Sequence, residues 1–376
     1  MNFDFSDDQK LLKEQARKFL SDKCTRQLVR TVLDNNDNQY SKELWQEVIN
    51  MGWTATAIPE EYGGLGLGML ELCVIAEELG RSLAPIPFSS SIYIFAEFLK
   101  AYGSKEQKQK YLPKIAAGEM IGSFAFPETK GTPRASNIEA RVEQNKLNGK
   151  KLPVNDGMAA DVLIVAANSD NNQNHNSLSL YIVETNQDGV DRKMLETLDP
   201  TRPSCDIEFK NVNCDLLGDI SEGWSMIENI LNRAAVLFAF EQVGGAQTSL
   251  DEAKKYSIER YAFGKPIGSF QALKHKMADM YVKNELAKSN AYYGAWALSS
   301  DSAELPVAAA GARVSASEAF HYASKENIQI HGGVGFTWEY DCHLFYRRSK
   351  MLSLNIGSIR KWKENLISNL EKRNIS

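Results

Sequence analysis

The 376-residue sequence has no apolar run approaching the ~20 residues that a membrane-spanning helix needs. Its N-terminus, MNFDFSDDQKLL, is acidic where a secretory or organellar targeting segment is basic, so a cytoplasmic protein is expected. No basic block is longer than YRRSK. With 43 Lys and Arg against 48 Asp and Glu, the net charge of −5 offers no electrostatic footprint for nucleic acid or an anionic membrane. Cysteine is scarce: Cys24, Cys73, Cys205, Cys214 and Cys342 form no C-x-x-C pair and leave one over, which favours reduced thiols over a disulfide framework. The histidines His175, His275, His321, His331 and His343 show neither H-E-x-x-H nor another metal spacing, so surface or packing roles are expected and no metal site. A G-x-S-x-G elbow and a P-loop are also missing, which leaves hydrolase and kinase chemistry without support.

What is present reads as an ordinary folded protein, with 43% hydrophobic and 24% charged residues. The length exceeds what one core usually supports, so two or three domains are expected. Three zones differ in texture. Residues 1–118 read as helical: Ser6 with Gln9, and Ser104 with Gln107, have capping-box spacing before the apolar positions Leu11, Leu12, Ala16, Phe19 and Leu20, and Tyr111 and Leu112. MLELCVIAEELG reads as a further helix closed by Gly80. Residues 119–218 carry short β-type runs, DVLIVAAN, SLSLYIVET and CDIEFKNV, separated by polar clusters such as NSDNNQNHNS, which reads as a solvated hairpin loop. Residues 219–376 return to the helical period in long alanine-rich segments suited to close-packed antiparallel helices, as in a four-helix bundle. The order is α, β, α.

Four segments in this order, IPEEYGGLGLGMLELCVIAEELGR, GSFAFPETKG, ERYAFGKPIGSFQALKHKMADM and QIHGGVGFTWEYDCHLFYRR, resemble the acyl-CoA dehydrogenase family over essentially the whole chain. The resemblance implies an α+β fold: an N-terminal α-helical domain, a central β-barrel and a C-terminal four-helix bundle, assembled as a dimer or a dimer of dimers. It also implies FAD, an acyl-CoA substrate whose α-proton goes to a glutamate while the β-hydrogen leaves as hydride, and an electron-transferring flavoprotein as acceptor. A thioester α-proton is weakly acidic, so a desolvated carboxylate and hydrogen bonds to the thioester oxygen must act together.

In such enzymes the adenosine and pyrophosphate half of the cofactor is gripped by the neighbouring subunit's bundle. By resemblance, Arg260, Phe263, Gln271, Gln329, Gly332 and Gly333 form that grip: a cation for pyrophosphate, a flat apolar contact, and glycines that admit close backbone approach. Without the resemblance, the glycines read as a helix C-cap and turn. On the flavin side, to which Phe126 and Asn155 belong, the chain departs from the family. Where Thr-Glu-Pro and then Gly-Ser-Asp are usual, it reads FPETKGTPRAS, with Pro127 in place of the threonine; where Trp-Ile-Thr-Asn-Gly is frequent, it reads Leu152-Pro153-Val154-Asn155-Asp156-Gly157, with Pro153 for the tryptophan and Asn155 for the threonine.

The base positions are empty. The ungapped pattern carries Tyr-Glu-Gly-Thr onto Asn355, Ile356, Gly357 and Ser358, and the alternative position on the first long helix of the bundle falls on Ala234. Glu241 lies seven residues beyond Ala234, about two turns or ~10 Å along the same helix face. It is the alternative candidate for the base, and a structural hydrogen bond or charge pair within the bundle is its other reading. The expectation is an acyl-CoA dehydrogenase-like subunit that shares FAD with a Glu-bearing homologue in a heterotetramer, as in members that degrade bulky acyl chains such as steroid side chains. Two alternatives stay open: a self-sufficient homo-oligomer using Glu241, and a catalytically silent acyl-CoA- or FAD-binding scaffold.

Overall fold

The structure, a computed structural model, describes residues 5–35, 39–129, 131, 133–169 and 178–375. The α, β, α order is observed. Helices α1 (Asp7–Lys23), α2 (Arg26–Asp34), α3 (Lys42–Asn50), α4 (Met69–Ser82), α5 (Ala96–Tyr102) and α6 (Lys105–Ala116) precede the strands. Strands β1 (Gly122–Ala125), β2 (Arg141–Glu143), β3 (Lys146–Asn155), β4 (Val162–Ser169), β5 (Leu178–Glu184), β6 (Val190–Met194), β7 (Ser204–Asn213) and β8 (Asp215–Leu217) follow. Then come α7 (Gly223–Glu259), the short β9 (Tyr261–Ala262) and β10 (Lys265–Pro266), α8 (Gln271–Ser299), α9 (Leu305–His331), α10 (Cys342–Leu352) and α11 (Ile359–Ile375). No helix among the described residues is long and apolar enough to cross a membrane.

Both capping boxes form. Ser6 and Ser104 accept from the amides of Gln9 and Gln107, whose side chains reach back to the cap amides, so α1 and α6 start where the S-x-x-Q spacing puts them. On α1, Ala16 and Leu20 are buried while Leu11 is exposed.

The residues fall into two compact units. One holds residues up to Arg30, Met69–Ala84 and the chain from Ala235 onward; the other holds Thr31–Gly68 and Pro85–Ala234. The first helical zone therefore contributes to both units.

In the first unit α1 lies on α4, tied by Lys13–Glu77 (2.5 Å) and Arg17–Glu78 (2.8 Å). Gly80 does not close α4, which continues to Ser82. A Cβ on Gly80 would sit 1.8 Å from the Glu241 carbonyl oxygen, and one on Gly244 would sit 1.9 Å from that of Glu77. The two glycines let α4 and α7 cross at backbone distance, so close approach and not capping requires glycine here. Helices α8 and α9 run antiparallel, with Lys276 on Glu326 near one end and Gly294 against Ala312 near the other. Gln242 and Gly245 of α7 meet Arg313 and Phe320 of α9, and α11 returns along α9 through Lys363–Glu318 and Arg373–Glu304. The helices α7, α8, α9 and α11 form the expected bundle, and buried alanines of α9 such as Ala309, Ala312, Ala316 and Ala323 allow the close packing.

In the second unit the strands form one mixed sheet in the order β6-β7-β3-β2-β4-β5-β8, with β1 also paired to β4. Inward positions of six strands, among them Leu147, Val154, Leu163, Val165, Val183, Ile207 and Phe209, fill a single core, the packing expected of a small barrel interior. The β4–β5 hairpin pairs Asn168 with Leu178. The rest of the polar loop read from NSDNNQNHNS, His175 included, lies outside the described residues.

Candidate active site

In the first unit, the residues that the resemblance assigns to the adenosine side lie at helix ends or, for Phe263, in the hairpin beside one. Tyr256 near the end of α7 stacks on His331 at the end of α9, ring centroids 4.1 Å apart, which brings the two termini together. Arg260 follows one turn after Tyr256, its amide donating to the Tyr256 carbonyl (2.8 Å). Its side chain is exposed and makes no ion pair or hydrogen bond with the described residues. Strands β9 and β10 then make a two-residue hairpin whose turn is Phe263 (φ 53°) and Gly264 (φ 78°), both left-handed as the tight twisted turn demands. Phe263 is 95% exposed, a conformation that bulky residues avoid unless something fixes them there. Gln271 opens α8 and Gln329 lies in the last turn of α9, both exposed. The Gly332 amide caps α9 by donating to the Gln329 and Ile328 carbonyls, so the C-cap reading of this glycine describes its hydrogen bonding. Nothing lies within 4 Å of a Cβ placed on Gly332 or Gly333, so the backbone there is open to a ligand.

The two positions that the resemblance aligns with the family base hold apolar side chains. Ile356 is 8% exposed in the turn between α10 and α11; its carbonyl accepts from Trp362 Nε1 (3.2 Å), and Ser358 Oγ accepts from the Lys361 amide. The turn LNIGS thus closes the bundle through backbone and indole contacts. Ala234 is fully buried.

Glu241 is 3% exposed, with Oε1 3.8 Å from Arg348 Nη1. Arg348, equally buried, also donates to the Leu83 and Ala84 carbonyls. Arg313 donates to Gln242 Oε1 (2.6 Å) and to the Leu352 carbonyl. The Glu241 carboxylate thus faces a buried guanidinium contributed by α10.

In the second unit, Phe126 is buried, stacked on Phe124 (5.6 Å) and edge-on to Trp224 (6.0 Å). Asn155 ends β3; its Oδ1 accepts from Ser204 Oγ (2.8 Å) and its carbonyl from Ser123 Oγ (2.6 Å). Pro153 is exposed, and the Pro127 carbonyl accepts from the Leu152 amide (2.7 Å).

Two buried charge pairs here escape sequence reading. Asp156 takes a bidentate grip from Arg202 (3.1 and 2.6 Å) and a hydrogen bond from Ser90 Oγ (2.5 Å), at the head of a π-helix, Ser89–Phe95. Lys151, with no exposed side-chain surface, donates to Glu128 Oε1 (2.6 Å) and the Phe126 carbonyl (3.2 Å). Burial pushes its ammonium down to about 8 against the opposing pull of Glu128. The signal for Lys151 is the Lys150–Lys151 pair itself: neighbours on a strand face opposite ways, so one lysine had to point inward.

Two family models match the chain: "Acyl-CoA dehydrogenase, N-terminal domain" over residues 6–119 and "Acyl-CoA dehydrogenase, C-terminal domain" over residues 221–359. Glutaryl-CoA dehydrogenase of Desulfococcus multivorans is 30% identical over 95% of this chain and 95% of its own length. The chain belongs to the acyl-CoA dehydrogenase family. Among solved members, a variant of the Tcur3481-Tcur3483 steroid ACAD superposes with a TM-score of 0.87 at 25% identity, covering 98% of this chain and 99% of that one. An acyl-CoA dehydrogenase complexed with FAD from Bacillus anthracis superposes with a TM-score of 0.87 at 25% identity, covering 99% of this chain and 68% of that one. This acyl-CoA dehydrogenase-like flavoprotein thus has the fold of an oxidoreductase acting on acyl-CoA, with FAD as its cofactor. The residues that the resemblance assigns to its adenosine side fit that cofactor chemically: an exposed guanidinium and open glycine backbone suit a pyrophosphate. No group of three or more metal-ligating side chains is gathered among the described residues.

Proposed function

We propose that this chain is the base-less subunit of a heteromeric acyl-CoA dehydrogenase, contributing the adenosine-side grip on FAD to a homologous subunit that carries the glutamate. The observation that carries the reading is an asymmetry between uncommitted and committed groups. Arg260, Phe263 and the Gly332–Gly333 backbone are exposed and open, whereas the two family base positions, Ile356 and Ala234, are buried and apolar.

Bound FAD supplies the hydride acceptor for the β-hydrogen of an acyl-CoA. On this chain Arg260 would neutralise the pyrophosphate, Phe263 would cover an apolar face of the dinucleotide, and Gln271 and Gln329 would hydrogen-bond its polar edge. Removal of the substrate α-proton falls to a carboxylate of the homologue, since neither Ile356 nor Ala234 can accept one. Glu241 serves as counter-ion to Arg348 and not as base, the role its burial beside that guanidinium favours. Electrons then pass to an electron-transferring flavoprotein. Bulky acyl chains, steroid side chains among them, are the proposed substrate class; the likeness to a steroid enzyme named for two proteins supports both the substrate and the pairing.

The test is flavin content, mass and acyl-CoA oxidation of the purified chain, alone and coexpressed with a homologue that retains the glutamate. Activity appearing only in the mixed oligomer, at one FAD per pair, is expected. Full activity in a homo-oligomer, abolished by Glu241→Gln, would sink the proposal in favour of a self-sufficient enzyme.

A further inference from the structure

In the segment that follows β1, Pro127 between Phe126 and Glu128 has no amide to donate. Besides the Leu152 amide on the Pro127 carbonyl, Lys151 holds the segment. The ammonium binds the Phe126 carbonyl on one side of Pro127 and the Glu128 carboxylate on the other, while Glu128 accepts from the amides of Glu139 (2.6 Å) and Ala140 (3.0 Å). One ion pair therefore joins three stretches of chain: the Phe126–Glu128 segment, the approach to β2, and β3.

Desolvating an ammonium costs several kcal/mol even when a carboxylate meets it, and an apolar side chain of similar volume would commonly pack at least as well. Stability alone is thus a poor reason for Lys151. Glu128 is the titratable group that faces it; the neighbouring Lys150 points the other way, to Asp206 (2.5 Å), with Glu208 exposed on that outer face.

We propose that Lys151 is a positioning residue for the flavin half-site, fixing the Phe126 backbone and ring through Glu128 in the shape that receives the isoalloxazine. The inference rests on the reading that this segment faces FAD in the assembled enzyme. It predicts that the site loosens when the ammonium loses its proton, even though Lys151 never touches substrate.

The experiment uses whichever assembly, homomeric or mixed, holds FAD. FAD affinity is measured by flavin fluorescence from about pH 6.5 to 9.5 for the wild type, Lys151→Met and Lys151→Arg, with amide hydrogen exchange at Glu139 and Ala140 alongside. Lys151→Met should weaken FAD on the order of tenfold and speed exchange at those two amides while the helical bundle keeps its protection. Wild-type affinity should fall as the pH passes about 8, and Lys151→Arg, whose charge is permanent, should hold its affinity across the range. Faster exchange with unchanged FAD affinity and a flat wild-type profile would overturn the positioning role while leaving the FAD reading in place. Should Lys151→Met not fold, the wild-type pH profile decides alone, a flat one being fatal. A wild-type chain that takes no flavin in either assembly overturns the FAD reading and this inference together.

Discussion

Burial pushes the thiols of Cys24, Cys205, Cys214 and Cys342 up to about 12, and raises that of Cys73 for the same first reason, with Glu71 next. All five are unpaired in the structure, as their spacing led one to expect. A thiol reagent at pH 8 should therefore leave the native protein unlabelled and modify five cysteines after denaturation; rapid labelling of any one in the native state would contradict its burial. The same shifts set the alkaline stability. A thiol that keeps its proton in the fold and loses it when unfolded, above about 9, costs up to about 1.4 kcal/mol per pH unit. Lys151 acts oppositely: between about 8 and 10.5 the unfolded lysine holds the proton more tightly than the folded one, so stability gains with pH. Five thiols outweigh one lysine, and the urea midpoint should drop between about pH 9 and 10.5. At the cofactor, Arg260→Ala should cost on the order of tenfold or more in FAD affinity with an unchanged melting temperature, because the exposed guanidinium supports nothing in the fold. Arg260, Gln271, Gln329 and Gly332 could be placed near helix ends from sequence because the helices that carry them are legible. Lys151 could not, because a strand's inward face is known only once its neighbours are.

Among the elements, α4 and α7 owe their crossing to two missing side chains. Gly80→Ala or Gly244→Ala would drive a methyl into a carbonyl oxygen of the opposing helix, costing about 1–3 kcal/mol or more. Gly311, in the interior of α9 with open space where its Cβ would be, is the control: Gly311→Ala should stabilise by about 0.5–1 kcal/mol. Chemical denaturation of the three variants checks sign and size together, and equal losses at all three would remove close approach as the reason for Gly80 and Gly244. Removing a cap hydroxyl in Ser104→Ala should cost about 1 kcal/mol. Capping boxes were readable because donor and acceptor lie three residues apart. Gly80 read as a helix stop because glycine after an apolar periodic run usually is one, and only the opposing Glu241 backbone reassigns it.

For the whole molecule, the exposed apolar side chains Ile258, Tyr261, Phe263 and Phe336 lie in sequence close to the ends of α7 and α9 that Tyr256 and His331 bring together, and a subunit contact would cover them. The double variant Phe263→Ser, Phe336→Ser should weaken subunit association at least on the order of tenfold by analytical ultracentrifugation and lose FAD with it, while far-UV circular dichroism stays unchanged. Intact association in that variant would rule these side chains out of a subunit contact.

The α, β, α order, the long bundle helices, both capping boxes and the family itself follow from sequence because periodicity and short motifs are local, and a helix or strand announces its own period. The fate of individual charged and small residues does not. Glu241 is a counter-ion only because Arg348 arrives from α10, Lys151 is buried only because Glu128 and the Phe126 carbonyl meet it, and Gly80 is a crossing point only because α7 passes over it. Each of these depends on groups distant along the chain, whose approach is set by packing of the folded units and by no pattern within the segment itself.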